Sequence, residues 1–145
     1  MKKKIDELSD IEFHVTQENG TELPFQNKYW NFFEQGIYID LLSGVPLFAS
    51  FHKFESQCGW PSFSDCISLE NLKRIDDDSL GIRRTEVRGM LSDSHLGHVF
   101  SDGPAPTYER YCINSASIKF VPFSELADHG YKSLTDIFLT TDKNE

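Results

Sequence analysis

The apolar positions change from helical to extended spacing along the chain, and that change outlines the fold. Ile5, Leu8, Ile11 and Phe13, with Ser9-Asp10 able to cap a turn, predict a short amphipathic helix over about 6–17. Asn19-Gly20 breaks it, Pro24 marks an extended passage, and Tyr29-Trp30-Asn31-Phe32-Phe33 reads as a packed aromatic turn. Gly36 to Asp40 predicts a strand, 41–46 a turn and Pro46 to Ser50 a second strand, together a hairpin. Gly59 and Pro61 place Phe54 to Phe63 in a loop. Ser68 to Arg74 is polar, and Asp76-Asp77-Asp78 reads as a solvated acidic turn, because consecutive carboxylates point in different directions. Alternating polarity predicts strands over 81–88 and His95 to Phe100, and a long central strand over Arg110 to Phe120. A short helix over 124–128 and a last element over 134–139 close the chain. There are no repeats and no low-complexity linkers. The pattern is that of a mainly β, antiparallel domain with short helices at its N- and C-terminal ends, one domain over 1–145 with a helical extension over about 1–28.

Composition narrows the classes. Among 145 residues, 39% are hydrophobic and twelve are Phe, which marks a folded chain rather than a disordered one. A net charge of −9 opposes binding to nucleic acid. Met1-Lys2-Lys3-Lys4 resembles the basic head of a signal peptide, but the polar run Ile5-Asp6-Glu7-Leu8-Ser9-Asp10 follows where an apolar stretch is required. No apolar segment approaches the ~20 residues that span a bilayer. A soluble, cytoplasmic protein with no membrane partner is expected. Cys58, Cys66 and Cys112 are too few and odd in number for a disulfide framework, so a pair among them would be transient and catalytic in a reducing compartment.

The candidate chemistry centres on Arg110-Tyr111-Cys112-Ile113-Asn114-Ser115. On an extended chain Tyr111 and Ile113 share one face, and Arg110, Cys112 and Asn114 the other. A fixed cation beside a thiol favours the thiolate, the nucleophilic form. Taken alone, Cys112 also reads as a small buried hydrophobe, as most free cysteines do. Cys58, in its Gly/Pro loop, is a candidate resolving thiol, although spacing alone leaves open whether the two sulfurs meet. Cys66, beside Asp65, has a neighbour that raises its pKa and reads as structural. His95 and His98, at i and i+3 on a strand, face opposite sides unless a bulge at Gly97 turns one of them. Trp60 is either core or a flat apolar wall for a methyl or thioether group. Zinc competes poorly: it needs about four Cys/His ligands, and no CxxC pair is present.

Four blocks occur together in order: Cys58-Gly59-Trp60-Pro61-Ser62-Phe63, Arg84-Thr85-Glu86-Val87-Arg88, His95-Leu96-Gly97-His98-Val99-Phe100 with Asp102-Gly103-Pro104, and Arg110-Tyr111-Cys112-Ile113-Asn114-Ser115-Ala116. In order and spacing, over roughly Tyr29 to Tyr131, they resemble methionine sulfoxide reductase B. The resemblance implies a fold of twisted antiparallel sheets forming a barrel-like core. It implies thiol-dependent reduction of the R epimer of methionine sulfoxide, free or in oxidised proteins, as a repair activity in the oxidative stress response. Cys112 resembles the catalytic cysteine and Cys58 the resolving one, paired as a disulfide that thioredoxin, or dithiothreitol in the test tube, reduces. Trp60 and Phe100 would line the substrate pocket, Arg110 would favour the thiolate, His95 and His98 would handle the sulfoxide oxygen, and Asn114 would support the site by hydrogen bonding.

The chain departs from the family pattern twice. Many members carry two CxxC pairs that bind structural zinc; the first would fall at Asp40 and Ser43, and the loop Gly89 to Ser94 holds no cysteine. The resemblance is therefore to the zinc-free branch, with no metal and no cofactor expected. Where the family often has Gly-Leu before Arg-Tyr-Cys, this chain has Tyr108-Glu109, a change expected at the pocket rim. The alternative reading is a non-catalytic module of the same architecture that binds a partner through its Trp/Phe-rich surface; such a module has no need of two thiols together with His98 and Asn114.

Overall fold

A computed structural model describes residues 2–143. Helix α1 (Asp10–Glu18) is preceded by a 3-10 turn at Ile5–Glu7. Ser9, rather than Asp6, starts the α-helix. Its Oγ accepts from the Glu12 N–H at 3.3 Å and the Glu12 carboxylate accepts from the Ser9 N–H at 2.9 Å, a reciprocal cap for two otherwise unpaired donors. Asn19 ends the helix in the left-handed region, at φ 57°.

Nine strands follow: β1 (Gly36–Asp40), β2 (Pro46–Ala49), β3 (Lys53–Phe54), β4 (Ser62–Phe63), β5 (Leu72–Asp77), β6 (Arg84–Gly89), β7 (His95–Phe100), β8 (Arg110–Ile113) and β9 (Ile118–Pro122), with α2 (Thr135–Lys143) last. They form a three-stranded sheet, β2-β1-β9, and a six-stranded sheet, β3-β4-β8-β7-β6-β5, with every pair antiparallel. The two ladders stay separate rather than closing into one barrel. Between them lie Tyr38, Phe48, Phe63, Leu96, Tyr111 and Ile113. The Phe48 and Phe63 rings stack at 4.3 Å, and each buried ring stabilises the fold by about 1.5–3 kcal/mol. On its other face the small sheet buries Ile37, Ile39 and Val121 with Phe138 of α2. All five residues of β1 are therefore buried.

Two sequence expectations need correcting. The long central strand over Arg110 to Phe120 is two strands in different sheets. β8 stops at Ile113 because the Asn114 side chain bonds across the chain, to Glu22 N and Leu96 O, and the Ser117 hydroxyl donates to Asn114 O at 2.8 Å; Ser115–Ser117 form a 3-10 turn instead. The acidic run Asp76-Asp77-Asp78 is solvated at Asp76 and Asp78 but not at Asp77, and it is not all turn. Asp76 and Asp77 belong to β5, and Asp77 keeps only 17% of its side chain exposed against His98 and Arg84.

Register sets the site. Ser62 pairs with Cys112 and Cys112 with His98, so the three form a row across β4, β8 and β7 on one face. One extra residue on β7 interrupts the β6–β7 ladder: Val87 pairs with Gly97 and Arg88 with His95, leaving Leu96 unpaired. That bulge carries His95 to the side of His98, with ring centroids 5.6 Å apart. Gly97 allows the tight approach, since a Cβ there would stand 2.0 Å from the Cys112 carbonyl oxygen. Gly97→Ala is expected to cost about 3 kcal/mol by forcing β7 from β8. That corresponds to a fall of roughly 10 °C in Tm by scanning calorimetry.

Candidate active site

Cys112 Sγ lies 3.4 Å from Cys58 Sγ. The Gly/Pro loop delivers Cys58 because Gly59 adopts φ +90°, where a Cβ would meet Pro24 at 2.6 Å. Cys58 Sγ also contacts Ser56 Oγ at 3.0 Å and Ser62 Oγ at 3.3 Å. The two sulfurs are within hydrogen-bonding distance of each other. Their mutual hydrogen bond lowers the Cys58 thiol well below its ordinary range, helped by the two serine hydroxyls, and it raises Cys112, with burial acting in the same direction. Arg110 opposes that rise on Cys112. Its guanidinium stands 4.4 Å over the Phe100 ring and forks Asp102 at 2.9 and 3.3 Å. Cys66 lies in the core cluster with Tyr111, so it faces away from the Cys112 side of the sheet; burial and then Asp65 push its thiol up.

Above Cys112 opens a pocket of about 100 Å³ lined by Trp60, His98, Phe100 and Asn114, with Thr21, Arg84, Gly97 and Ile113. It is small for a cofactor and of a size for the tip of a side chain. The walls are indole and phenyl; the polar groups are Thr21, Arg84 of β6, His98 of β7, and Cys112 and Asn114 at the end of β8. His98 Nε2 sits 2.7 Å from Asp77 Oδ2, which also accepts from Arg84 at 3.2 Å. Asp77 is held far below the usual carboxylate range, chiefly by Ser79 and then by His98, so it stays ionised beside the imidazole.

His95 does not line this pocket. It is 3% exposed, its Nδ1 is 2.6 Å from Glu86, and burial lowers its pKa, which favours the neutral ring. Tyr108 and Glu109 also lie off the pocket lining; Glu109 forks Arg74 with two bonds of 2.8 Å. Ser62 and Asp77 were invisible as site residues in the sequence and become so only through register. Glu22 carried no sequence signal either. It is 8% exposed, its N–H donates to Asn114 Oδ1 at 3.0 Å, and its carbonyl accepts from Trp60 Nε1 at 3.0 Å. Burial pushes its carboxyl up to about 7.

The family's zinc positions do come together, but with other donors. Asp40 Oδ2 accepts from Ser92 Oγ at 2.6 Å, and its Oδ1 accepts from the Leu42 and Ser43 N–H groups at 2.9 and 3.0 Å. One carboxylate and two hydroxyls do not supply the thiolates and imidazoles of a structural zinc site. Among the described residues no cluster of three or more His, Cys, Asp or Glu is placed to hold a metal. None of their helices is long and apolar enough to cross a membrane.

Comparison with known proteins agrees with the geometry. The family model described as the SelR domain matches residues 8–122. Over 139 residues the chain is 53% identical to peptide methionine sulfoxide reductase MsrB of Staphylococcus saprophyticus, covering 95% of this chain and 98% of that protein. Two thiols in contact beneath an aromatic-walled pocket, the SelR match and this near-full-length identity together place the chain in the methionine sulfoxide reductase B family.

Proposed function

We propose that the protein reduces the R epimer of methionine sulfoxide, in oxidised proteins or free, to methionine. The observation that carries this reading is the 3.4 Å contact between Cys58 and Cys112 at the base of a pocket sized for a side-chain tip. The substrate methyl packs on Trp60 and Phe100, and its sulfur meets Cys112 Sγ. Cys112 passes its proton to Cys58, and the resulting thiolate attacks that sulfur while His98 donates a proton toward the sulfoxide oxygen. The S–O bond breaks, the sulfoxide sulfur gains two electrons, and Cys112 is left as a sulfenic acid. The Cys58 thiol then attacks the sulfenic sulfur, water leaves, and a Cys58–Cys112 disulfide forms. The sulfurs are already close enough that moving to the ~2.05 Å bond length requires only a short loop adjustment.

His98 is the stronger candidate donor of the two imidazoles. It lines the pocket, Asp77 holds one ring nitrogen, and Nδ1 is left for substrate. His95 acts from behind, packed edge-on against His98. Arg110 favours the Cys112 thiolate once the proton has moved to Cys58. An external dithiol completes the cycle, thioredoxin in a reducing cytoplasm or dithiothreitol in vitro; thioredoxin's potential near −270 mV suits that step.

The test is turnover of the separated R and S epimers with a thioredoxin system, together with thiol counting when reductant is withheld. R-selective turnover and the loss of two thiols support the reading, and S-selective turnover would sink it. Cys58→Ser is expected to yield about one methionine per protein and then stall with thioredoxin, because the sulfenic acid has no resolving thiol. Steady turnover in that variant would remove Cys58 from the cycle.

A further inference from the structure

Both polar side chains that frame the pocket opposite His98 are held by one residue outside it. The Glu22 N–H donates to Asn114 Oδ1 and the Glu22 carbonyl accepts from Trp60 Nε1, each at 3.0 Å. The Trp60 indole has a single donor, and it is used here. Asn114 Nδ2 donates to Leu96 O at 3.1 Å, so both ends of its amide are fixed as well. The position of Glu22 is in turn set by its carboxyl, which accepts from the Ser115 N–H at 2.6 Å and from the Ala116 N–H. The surrounding strap is tied down independently. Phe25 N–H and Asn27 Nδ2 both donate to Gly59 O, at 2.8 and 2.9 Å, and Asn27 Oδ1 accepts from the Ser115 hydroxyl at 2.7 Å.

We propose that Glu22 is a positioning residue for the reduction: its buried carboxyl anchors a clamp that fixes the Trp60 wall and the Asn114 amide against the Cys112 sulfur. This rests on the reaction assigned above. The clamp continues the tie between the 58–60 loop and the end of β8 beyond the point where the β4–β8 ladder and the Ile113 N–H bond to Pro61 O at 3.1 Å stop. Without the carboxyl, the Ser115 and Ala116 N–H groups lose their acceptor, and the main-chain groups that hold Trp60 and Asn114 lose their anchor. Misplacement of substrate-contacting groups by about 1 Å is enough to slow a reaction up to ~10²-fold. Glu22→Gln keeps an oxygen acceptor of the same reach and removes only the charge, which burial already disfavours. Glu22→Ala removes both.

The experiment uses the full chain with Trp30→Phe, which leaves Trp60 as the sole indole, since the protein has two Trp. In this background Glu22→Ala is expected to lower kcat/KM for the R sulfoxide by about tenfold or more. Acrylamide quenching of Trp60 should rise about twofold, and both effects should return close to the parent value in Glu22→Gln. If Glu22→Ala does not fold, Glu22→Asp, whose shorter side chain cannot span the clamp, is expected to behave the same way. Parental kcat/KM and quenching in a folded Ala or Asp variant would overturn the clamp, and so would equal losses in the Gln variant. An inactive parent protein would instead overturn the reaction, and the quenching series would still decide the clamp on its own.

Discussion

Replacing Cys112 with serine is expected to lower methionine formation from the R sulfoxide by about 10³-fold or more, with the fold intact. A serine hydroxyl gives up its proton to Cys58 far less readily than a thiol does, and oxygen lacks the soft nucleophilicity that attack on sulfur requires. It also cannot carry the two-electron oxidation to a sulfenic acid. Neither remaining thiol substitutes. Cys66 lies on the opposite face of the sheet, in the core with Tyr111, and burial keeps it protonated. Cys58 sits outside the pocket lining that Cys112 occupies. Because Cys112 is only partly buried and serine matches its shape, Tm should move little; scanning calorimetry separates lost chemistry from lost structure. Methionine is measured in a single turnover without reductant. Near-parental yield from Cys112→Ser would mean that the nucleophile is elsewhere and would favour a partner-binding role for the aromatic surface.

What the sequence made legible was set by local periodicity. The β1–β2 hairpin, β7 and the alternation of Tyr111 and Ile113 against Arg110 and Cys112 all follow from two-residue spacing around Gly and Pro. The structure bears this out, with Tyr111 and Ile113 fully buried and Cys112 on the other face. The break at Asn114 was not legible, because the residues after it remain apolar every second position while the strand changes sheets. Its cause is a set of long-range side-chain bonds, from Asn114 to Glu22 and Leu96, that no local window contains. Asp77 was hidden for a related reason. An acidic run reads as solvated until the hairpin register of β5 and β6 carries one of its carboxylates to His98.

The same long-range logic joins two turns. In this chain the β1–β2 turn and the β6–β7 turn are joined by Asp40 and Ser92 at 2.6 Å, and a Cβ at Gly89 would press within 2.3 Å of the Asp40 carboxylate. A buried carboxylate satisfied by two backbone N–H groups and a hydroxyl ties the two turns. In the site, ladder register holds the row Ser62, Cys112 and His98 across β4, β8 and β7.

His98→Gln is expected to slow the single-turnover reduction by about 10²-fold, the low end of what a positioned general acid supplies. Removing oxygen from a sulfoxide leaves no stable oxide ion; the oxygen departs as it gains a proton, and His98 is the proton carrier that both lines the pocket and is backed by a carboxylate. Asp77 does not touch substrate. Its ionised carboxylate holds the imidazole's orientation, so Asp77→Asn should give a smaller loss, about tenfold. His95→Asn should cost less still, since His95 reaches the pocket only through His98. The ordering of the three variants is the discriminating result. Rates are measured in one turnover across pH 5.5–8.5, with Cys112 alkylation as a control for thiolate formation. A parental rate in His98→Gln with a large loss in His95→Asn would move the proton donor to His95 and require the β7 bulge to open toward the pocket.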